Sequence, residues 1–305
     1  MKLTFLGTGC STPTKDRALS GIILEFEGQN FLFDAGEGTQ QRIMQAGISY
    51  MKIQNIFISH FHADHFLGLP GLIATMSMYE RTTPLTVFGP KGIKERLGKA
   101  LELALMKPSF EIESKELKKG IALKGKNFEV ISFPVEHSSQ CFGFSFKEKN
   151  KEGEFNRKKA EELGIPAGPL YAKLQKGETV EWKGKKFSPE QVMDYSKGRI
   201  GRKASIIVDS RPSEKFIEFI QNSDVLVHEG AFSDKEKERA EKTKHSTALE
   251  AGIAARKSNA KKLVLTHFSS RYRNTDELVN EAEKEFSNVI AAKDLMELKV
   301  EHAKA

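Results

Sequence analysis

Four ligand-type side chains stand within six residues at His60-Phe61-His62-Ala63-Asp64-His65, directly after the apolar run Ile56-Phe57-Ile58. Imidazole and carboxylate are the borderline ligands that zinc favours. In a tight loop that follows a strand, alternate side chains converge on one point while the next pair faces another. The spacing therefore suits two adjacent metal ions, with His60 and His62 on one and Asp64 and His65 on the other. The plainer alternative is a polar loop with a capping Asp and solvated histidines. The chain has only eight histidines in 305 residues, and three of them in one short loop weigh against that alternative.

Further candidates also stand where apolar runs end. His137 follows the run from Val130 to Val135, Asp209 follows Ile206-Ile207-Val208, and His267 follows Val264-Leu265-Thr266. In open α/β sheets, sites form at strand ends, where loops gather. Each residue alone reads as an ordinary loop residue, but together they complete two coordination shells. Asp209 has two oxygens and can bridge both ions. Asp34, after Phe31-Leu32-Phe33, sits in the same kind of place and is expected to hold the histidine loop by hydrogen bonds.

The rest of the chain alternates short apolar runs with helical stretches, which reads as α/β layers with mixed sheets. Strands are expected at 3–6, 21–26, 31–33, 53–59, 85–88, 204–208, 225–227 and 263–266, and strand pattern dominates 110–146. Glu27-Gly28-Gln29-Asn30 signals a hairpin. Helices are expected at 37–46, 67–79, 91–105, 212–221, 246–257 and 276–286. The rhythm breaks at residues 147–203, which carry 15 Lys+Arg against 9 Asp+Glu and so hold six of the chain's seven net positive charges. This segment reads as an insertion projecting from the main body, the alternative being an ordinary solvated helix and loop. The two cysteines, Cys10 and Cys141, exclude a disulfide framework and a four-cysteine zinc site and fit a reducing compartment. No apolar run approaches the roughly 18 residues of a membrane span, and the apolar start at residues 3–6 is too short for a signal peptide. A soluble, cytoplasmic protein is expected, without membrane contact.

These residues resemble a known family. Phe33-Asp34-Ala35-Gly36, the His60–His65 motif, His137, Asp209 and His267 are similar to the motifs of metallo-β-lactamase-fold hydrolases. Phe5-Leu6-Gly7-Thr8-Gly9, His228-Glu229-Gly230-Ala231-Phe232, His245-Ser246-Thr247-Ala248 and Thr266-His267-Phe268-Ser269-Ser270-Arg271-Tyr272 resemble the ribonuclease Z family, the tRNA 3′-processing endonucleases, in order along almost the whole chain. The resemblance implies a single α/β domain over residues 1–305, a four-layer αββα sandwich with an inserted flexible arm. It implies one metal held by His60, His62, His137 and Asp209. Asp64, His65, His267 and the shared Asp209 would hold the other. Two Zn2+ per subunit are implied, with Mn2+ acceptable to so carboxylate-rich a set. Residues 147–203 become a basic exosite for precursor tRNA, since phosphate contacts supply most of the affinity for nucleic acid. Gly164-Ile165-Pro166-Ala167-Gly168-Pro169-Leu170 resembles the tip of that arm. A homodimer is implied as well.

The implied reaction is phosphodiester hydrolysis that releases the 3′ trailer, with Asp64 as proton acceptor and His245 as proton donor held by Glu229. The competing role for His245 is a position at a helix start with Ser246 as cap. His228 and His302 are expected to be structural or solvated, and Lys15, Arg17 and Arg271 are candidates for phosphate contacts or plain surface charge. One departure stands out: the family's Pro-x-Lys-x-Arg-Asn loop is here Pro13-Thr14-Lys15-Asp16-Arg17-Ala18, which leaves the treatment of CCA-containing precursors open. Two rival readings also remain open. One is a thioester, lactone or sulfate-ester hydrolase on the same fold, and the other a non-catalytic RNA-binding module.

Overall fold

Alternation along a strand sends neighbouring side chains to opposite faces, and in this chain most strands carry apolar residues on both. A computed structural model describes residues 1–302; the last three residues of the expected domain lie outside the described residues. In chain order the structure runs β1 (Lys2–Gly7), β2 (Gly21–Phe26), β3 (Gln29–Phe33), α1 (Thr39–Gln45), β4 (Ile53–Phe57), α2 (Ala63–Phe66), α3 (Gly68–Met78), β5 (Leu85–Gly89), α4 (Ile93–Leu103), β6 (Ile112–Glu116), β7 (Gly120–Lys124), β8 (Phe128–Val135) and β9 (Cys141–Glu148). The inserted segment holds β10 (Glu154–Phe155), α5 (Arg157–Glu162), α6 (Pro169–Gln175), β11 (Val180–Trp182), β12 (Lys185–Phe187) and β13 (Met193–Asp194). Then follow β14 (Lys203–Ile207), α7 (Ile217–Ile220), β15 (Val225–Glu229), α8 (Lys237–Thr243), α9 (Ala248–Lys257), β16 (Leu263–Thr266), α10 (Asp276–Glu283), β17 (Val289–Ala291) and β18 (Glu297–Lys299).

The chain divides into two compact units, one of residues 1–147 and 202–301, the other of residues 148–201 with His302. The first is built on two seven-stranded mixed sheets, ordered β18-β1-β2-β3-β4-β5-β6 and β17-β16-β15-β14-β9-β8-β7. Alternate residues explain the layers. Ile22, Leu24 and Phe26 of β2 and Phe31 and Phe33 of β3 enter the core between the sheets, where they meet Phe128, Phe144, Phe146 and Ile206. Ile23 and Leu32 point the other way, into a second core with Ile43, Leu69, Leu72, Ile73, Ile93 and Leu97 of α1, α3 and α4. Leu226, Leu263 and Leu265 likewise face Ile220, Ala251, Ala255 and Leu278 of α7, α9 and α10. Helices, sheet, sheet and helices form four layers, the expected αββα sandwich.

Local chemistry sets the boundaries. The β2–β3 hairpin closes on Glu27-Gly28, with φ of 48° and 76° and Phe26 opposite Gln29, the two-residue turn that matches strand twist. The helix expected over 212–221 is instead a 3₁₀ turn, Glu214–Phe216, followed by the single turn of α7; Pro212 has no N–H to give, and its ring keeps Arg211 out of the helical region. Helix α8 and strands β17 and β18 were not expected from the sequence. No helix among the described residues is long and apolar enough to cross a membrane.

The second unit has a small core of its own, with Ala160, Ile165, Tyr171, Leu174, Val180, Phe187 and Val192 buried together. Within Gly164–Leu170, Ile165 is buried and its carbonyl accepts from the Tyr171 hydroxyl at 3.1 Å, while Pro166 to Pro169 are exposed. The body strands that flank this segment, β9 and β14, are antiparallel neighbours with Lys147 opposite Lys203. Replacing residues 150–199 by a short Asn-Gly turn is therefore expected to leave one cooperative thermal unfolding transition, read by circular dichroism. A broad, non-cooperative melt would place the segment in the core of the body.

Candidate metal centre

The first unit delivers its polar side chains from strand ends. Asp34 follows β3, His60 and His62 follow β4 in the loop that leads to α2, where Asp64 and His65 stand on a helical turn rather than in the expected loop, His137 follows β8, Asp209 follows β14 and His267 follows β16. Asp34 and His267 turn the chain in the left-handed region, with φ of 59° and 58°, a conformation that Asp and His adopt more readily than most residues.

Asp209 lies at the centre, almost fully buried. Its Oδ2 is 3.5 Å from His60 Nε2 and 3.4 Å from His137 Nε2, while its Oδ1 is 3.4 Å from His65 Nε2 and 3.0 Å from His267 Nε2. Asp64 Oδ2 stands 3.4 Å from His65 Nε2 and 3.5 Å from His267 Nε2. His62 Nδ1 is 3.3 Å from His137 Nε2. All seven sequence-identified side chains thus converge, in two groups: His60, His62, His137 and Asp209, and Asp64, His65 and His267 beside the other oxygen of Asp209.

Hydrogen bonds fix which nitrogen each ring presents. The His65 Nδ1–H donates to Asp34 Oδ2 at 2.7 Å, and that of His137 to the Lys244 carbonyl at 3.0 Å. Ser59 gives its N–H and its hydroxyl to Asp34, at 2.7 and 2.8 Å, so its oxygen accepts from His60 Nδ1 at 3.0 Å. With Nδ1 engaged in all three, each ring turns Nε2 toward Asp209, the nitrogen left to bind a cation once it is unprotonated.

The electrostatics ask for positive charge here. His60 Nε2, His65 Nε2, His267 Nε2 and Asp209 Oδ1 are buried without a hydrogen-bond partner. Burial depresses His65 and His267, yet the Asp209 carboxylate, with Asp34 at His65, lifts both well above the usual histidine range. Burial and the neighbouring rings push His60 down, leaving it neutral. The donor set, two carboxylates and five imidazoles, fits two borderline divalent ions.

His245 sits at the rim of this cluster, its ring 5.6 Å from that of His267. Its Nδ1 lies 3.1 Å from Glu229 Oε2. Burial lowers its pKa, but the Glu229 carboxylate overrides that and raises it to about 9. The helix cap expected at Ser246 is instead Thr247, in a capping box with Glu250, while the Ser246 hydroxyl donates to the Ser210 carbonyl at 2.5 Å. His228 is buried, with Nδ1 donating to the Glu229 carbonyl at 2.8 Å, and is not solvated. His302, in the other unit, donates from Nδ1 to the Ile200 carbonyl at 3.2 Å.

Arg17 is not free surface charge, because its guanidinium donates to the Tyr272 and Arg273 carbonyls at 2.5 and 3.2 Å. Lys15 and Arg271 are exposed, and Lys15, Arg17, Tyr272 and Arg273 help line a cavity of about 480 Å³. At the position of the departure, the Ala18 N–H is held by Asp294 Oδ2 at 2.7 Å.

Some supports were not visible in the sequence. Asp294 also accepts from the Thr8 N–H and hydroxyl at 3.0 and 2.8 Å and from Arg42 at 2.9 Å, and the Ser11 N–H donates to Asp64 Oδ2 at 2.7 Å. The histidine loop packs directly on the Asp34 loop through glycine. A Cβ on Gly68 would meet the Gly36 carbonyl oxygen at 1.9 Å, and one on Gly36 would meet that of Asp64 at 2.4 Å. Backbone must move to admit either methyl, so Gly68→Ala is expected to destabilise the fold by about 1–3 kcal/mol. Denaturant unfolding measures this, and an unchanged midpoint would show that the contact yields freely.

A family model described as Anti-Pycsar protein Apyc1 matches residues 1–151. Ribonuclease Z of Methanosarcina mazei is 46% identical over 303 residues, covering 98% of each chain. Ribonuclease Z of Archaeoglobus fulgidus is 43% identical over 302 residues, 98% of this chain and 97% of its own. Among solved structures, the short form of human tRNase Z matches with a TM-score of 0.72 at 27% identity, covering 99% of this chain and all of the other. The metallo-β-lactamase fold protein YhfI of Bacillus subtilis, with a TM-score of 0.70 at 19% identity over 97% of this chain and 98% of its own, is alike in fold.

Proposed function

The chain belongs to the ribonuclease Z family, and we infer from that membership and from its site that it is an endoribonuclease that removes the 3′ trailer from precursor tRNA, leaving a 3′-hydroxyl on the tRNA. The observation that carries this reading is the convergence of two carboxylates and five imidazoles on Asp209 in a chain alike to its relatives along nearly its whole length. The test is incubation of metal-loaded protein with a tRNA bearing a 3′ trailer. One discrete cut at the 3′ side of the tRNA body supports the reading, and no cut at that place overturns it.

The ions we assign are two Zn2+ per subunit, with Mn2+ a chemically acceptable substitute; His60, His62, His137 and Asp209 hold one, and Asp64, His65, His267 and the shared Asp209 the other. When bound, they supply the positive charge that acidifies an attacking water and offsets charge on the attacked phosphate. Asp64 is the proton acceptor of that water. Its carboxylate is ionised, because although burial raises its pKa, the His267 and His65 rings 3.5 and 3.4 Å away hold it well below the usual carboxylate range. The bond from phosphorus to the ribose 3′ oxygen breaks, so the released trailer carries the phosphate. The departing oxygen takes its proton from His245, whose Nδ1 is engaged by Glu229 and whose Nε2 is the nitrogen left to donate.

Residues 147–203 are proposed as the tRNA-binding arm, supported by their charge surplus and by a core of their own. A homodimer is proposed, supported by the exposed apolar side chains Met44, Leu67, Met78 and Tyr79 on or beside α1 to α3. A cytoplasmic setting is proposed, supported by two free, buried cysteines. The arm-deleted protein described above is expected to lose precursor binding and the steep salt dependence that phosphate contacts bring.

Two further outcomes are expected. Asp209→Ala loses both bound metal, read by elemental analysis, and cleavage; full metal content in that variant would count against a shared ligand. His245→Ala slows tRNA cleavage by about 10²–10⁴-fold in single turnover, the range of general acid help. It leaves a nitrophenyl phosphodiester, which needs no protonation to depart, near the parent rate. Because a raised pKa keeps His245 protonated at neutral pH, cleavage falls as pH rises through that pKa, and Glu229→Gln moves this limb to lower pH. Equal losses on both substrates would assign His245 to metal-site architecture instead.

A further inference from the structure

One thiol stands beside the proposed acid. Cys10 follows β1 in the Thr8–Ser11 turn, and its backbone N–H donates to the Phe268 carbonyl at 3.0 Å, which holds it against the residue after His267. Its sulfur and one ring nitrogen each of His245 and His267 lie within 4.8 Å of one another, and all three residues are buried. A second, independent feature marks the place. His267 Nε2 is directed at Asp209, and its other nitrogen, Nδ1, is buried with no hydrogen-bond partner. His60, His65 and His137 all have a partner at Nδ1.

We propose that Cys10, His245 and His267 form an inhibitory site for a soft, thiophilic cation such as Cd2+, additional to the two sites around Asp209 and sharing His267 with one of them. Thiolate and imidazole are the donors such ions select. Binding releases to solvent the protons on the thiol, on His245 Nε2 and on His267 Nδ1, and forms bonds from sulfur and these two nitrogens to the cation. His245 contributes Nε2, since Nδ1 is engaged by Glu229, and His267 contributes Nδ1. The inhibitory effect rests on the function proposed above, because the ion occupies the nitrogen from which His245 gives its proton. The binding itself does not rest on that function.

The experiment adds Cd2+ to protein already saturated with Zn2+. A third ion per chain is expected, with a thiolate-to-Cd2+ charge-transfer absorbance and protection of Cys10 from iodoacetamide, mapped by mass spectrometry so that Cys141 is scored separately. Cys10→Ser is expected to keep zinc content and parent cleavage in the absence of Cd2+. It should raise the Cd2+ concentration that halves the rate by more than the roughly 10–100-fold that loss of a mere supporting group costs a metal site, because a direct ligand is removed. Protection of Cys10 in the unmodified protein keeps the test decisive if the variant folds poorly. Equal Cd2+ binding in parent and variant, or unprotected Cys10, overturns the proposal. If a third ion binds through Cys10 but no tRNA is cut in its absence, the inferred reaction fails and the cation site stands.

Discussion

Asp209 is a buried carboxylate with four imidazole nitrogens 3.0–3.5 Å from its two oxygens, and much of the site's architecture follows from keeping it there. A buried carboxylate is costly unless cationic or hydrogen-bonding partners surround it. The partners come from strand ends of both sheets, so the sheets must pack with those ends together. The Phe-rich core between them, where Phe33 and Phe57 stack at 5.1 Å and Phe144 packs against both, fixes that alignment. A loosened core would be felt at the site as a change in distances to Asp209, because rigid strands transmit displacement to their ends.

The rings are held as firmly as the carboxylate. Asp34, Ser59 and the Lys244 carbonyl each take the far side of an imidazole, so the ring orientations are set before any ion arrives. The Lys244 carbonyl belongs to the same short segment as His245, and Arg211 clamps that segment. Its guanidinium donates to the His245 carbonyl at 2.5 Å and pairs with Glu250 at 2.7 and 2.8 Å. Orientation of His137 and of His245 is therefore coupled through the consecutive residues Lys244 and His245.

The centre was legible in the sequence because its chemistry is concentrated. Four ligand types fall in six residues, and Asp34, His137, Asp209 and His267 each close an apolar run that announces a buried strand. The layers were legible because runs such as Phe31-Leu32-Phe33 fill both faces of a sheet. What escaped lacks either signal. Asp294 and Ser11 act through contacts 286 and 53 residues away in sequence, which no local pattern encodes. Gly68 reads locally as a poor helix residue, and only the approach of Gly36 explains it. Strands β17 and β18 are three residues long and at sheet edges, too short for a period to show. Helix α8 buries only Ala240, so it has no apolar stripe to read.

The distribution of charge separates two physical tasks. Six of seven net positive charges lie in residues 147–203, while the site that needs cations most is built from a body close to neutral. Contacts to a polyanion depend on summed charge and tolerate imprecise placement, since phosphates repeat along the chain and are screened by salt. Hydrolysis depends on placement to within a fraction of an ångström and on a dry site. Residues 147–203, proposed above as the arm, would meet the first demand with lysines around a small core, including the β11–β12 hairpin where Trp182 stands opposite Lys185. The sandwich meets the second with buried aromatic packing. A segment that folds around its own core can vary in sequence and charge without disturbing distances at Asp209.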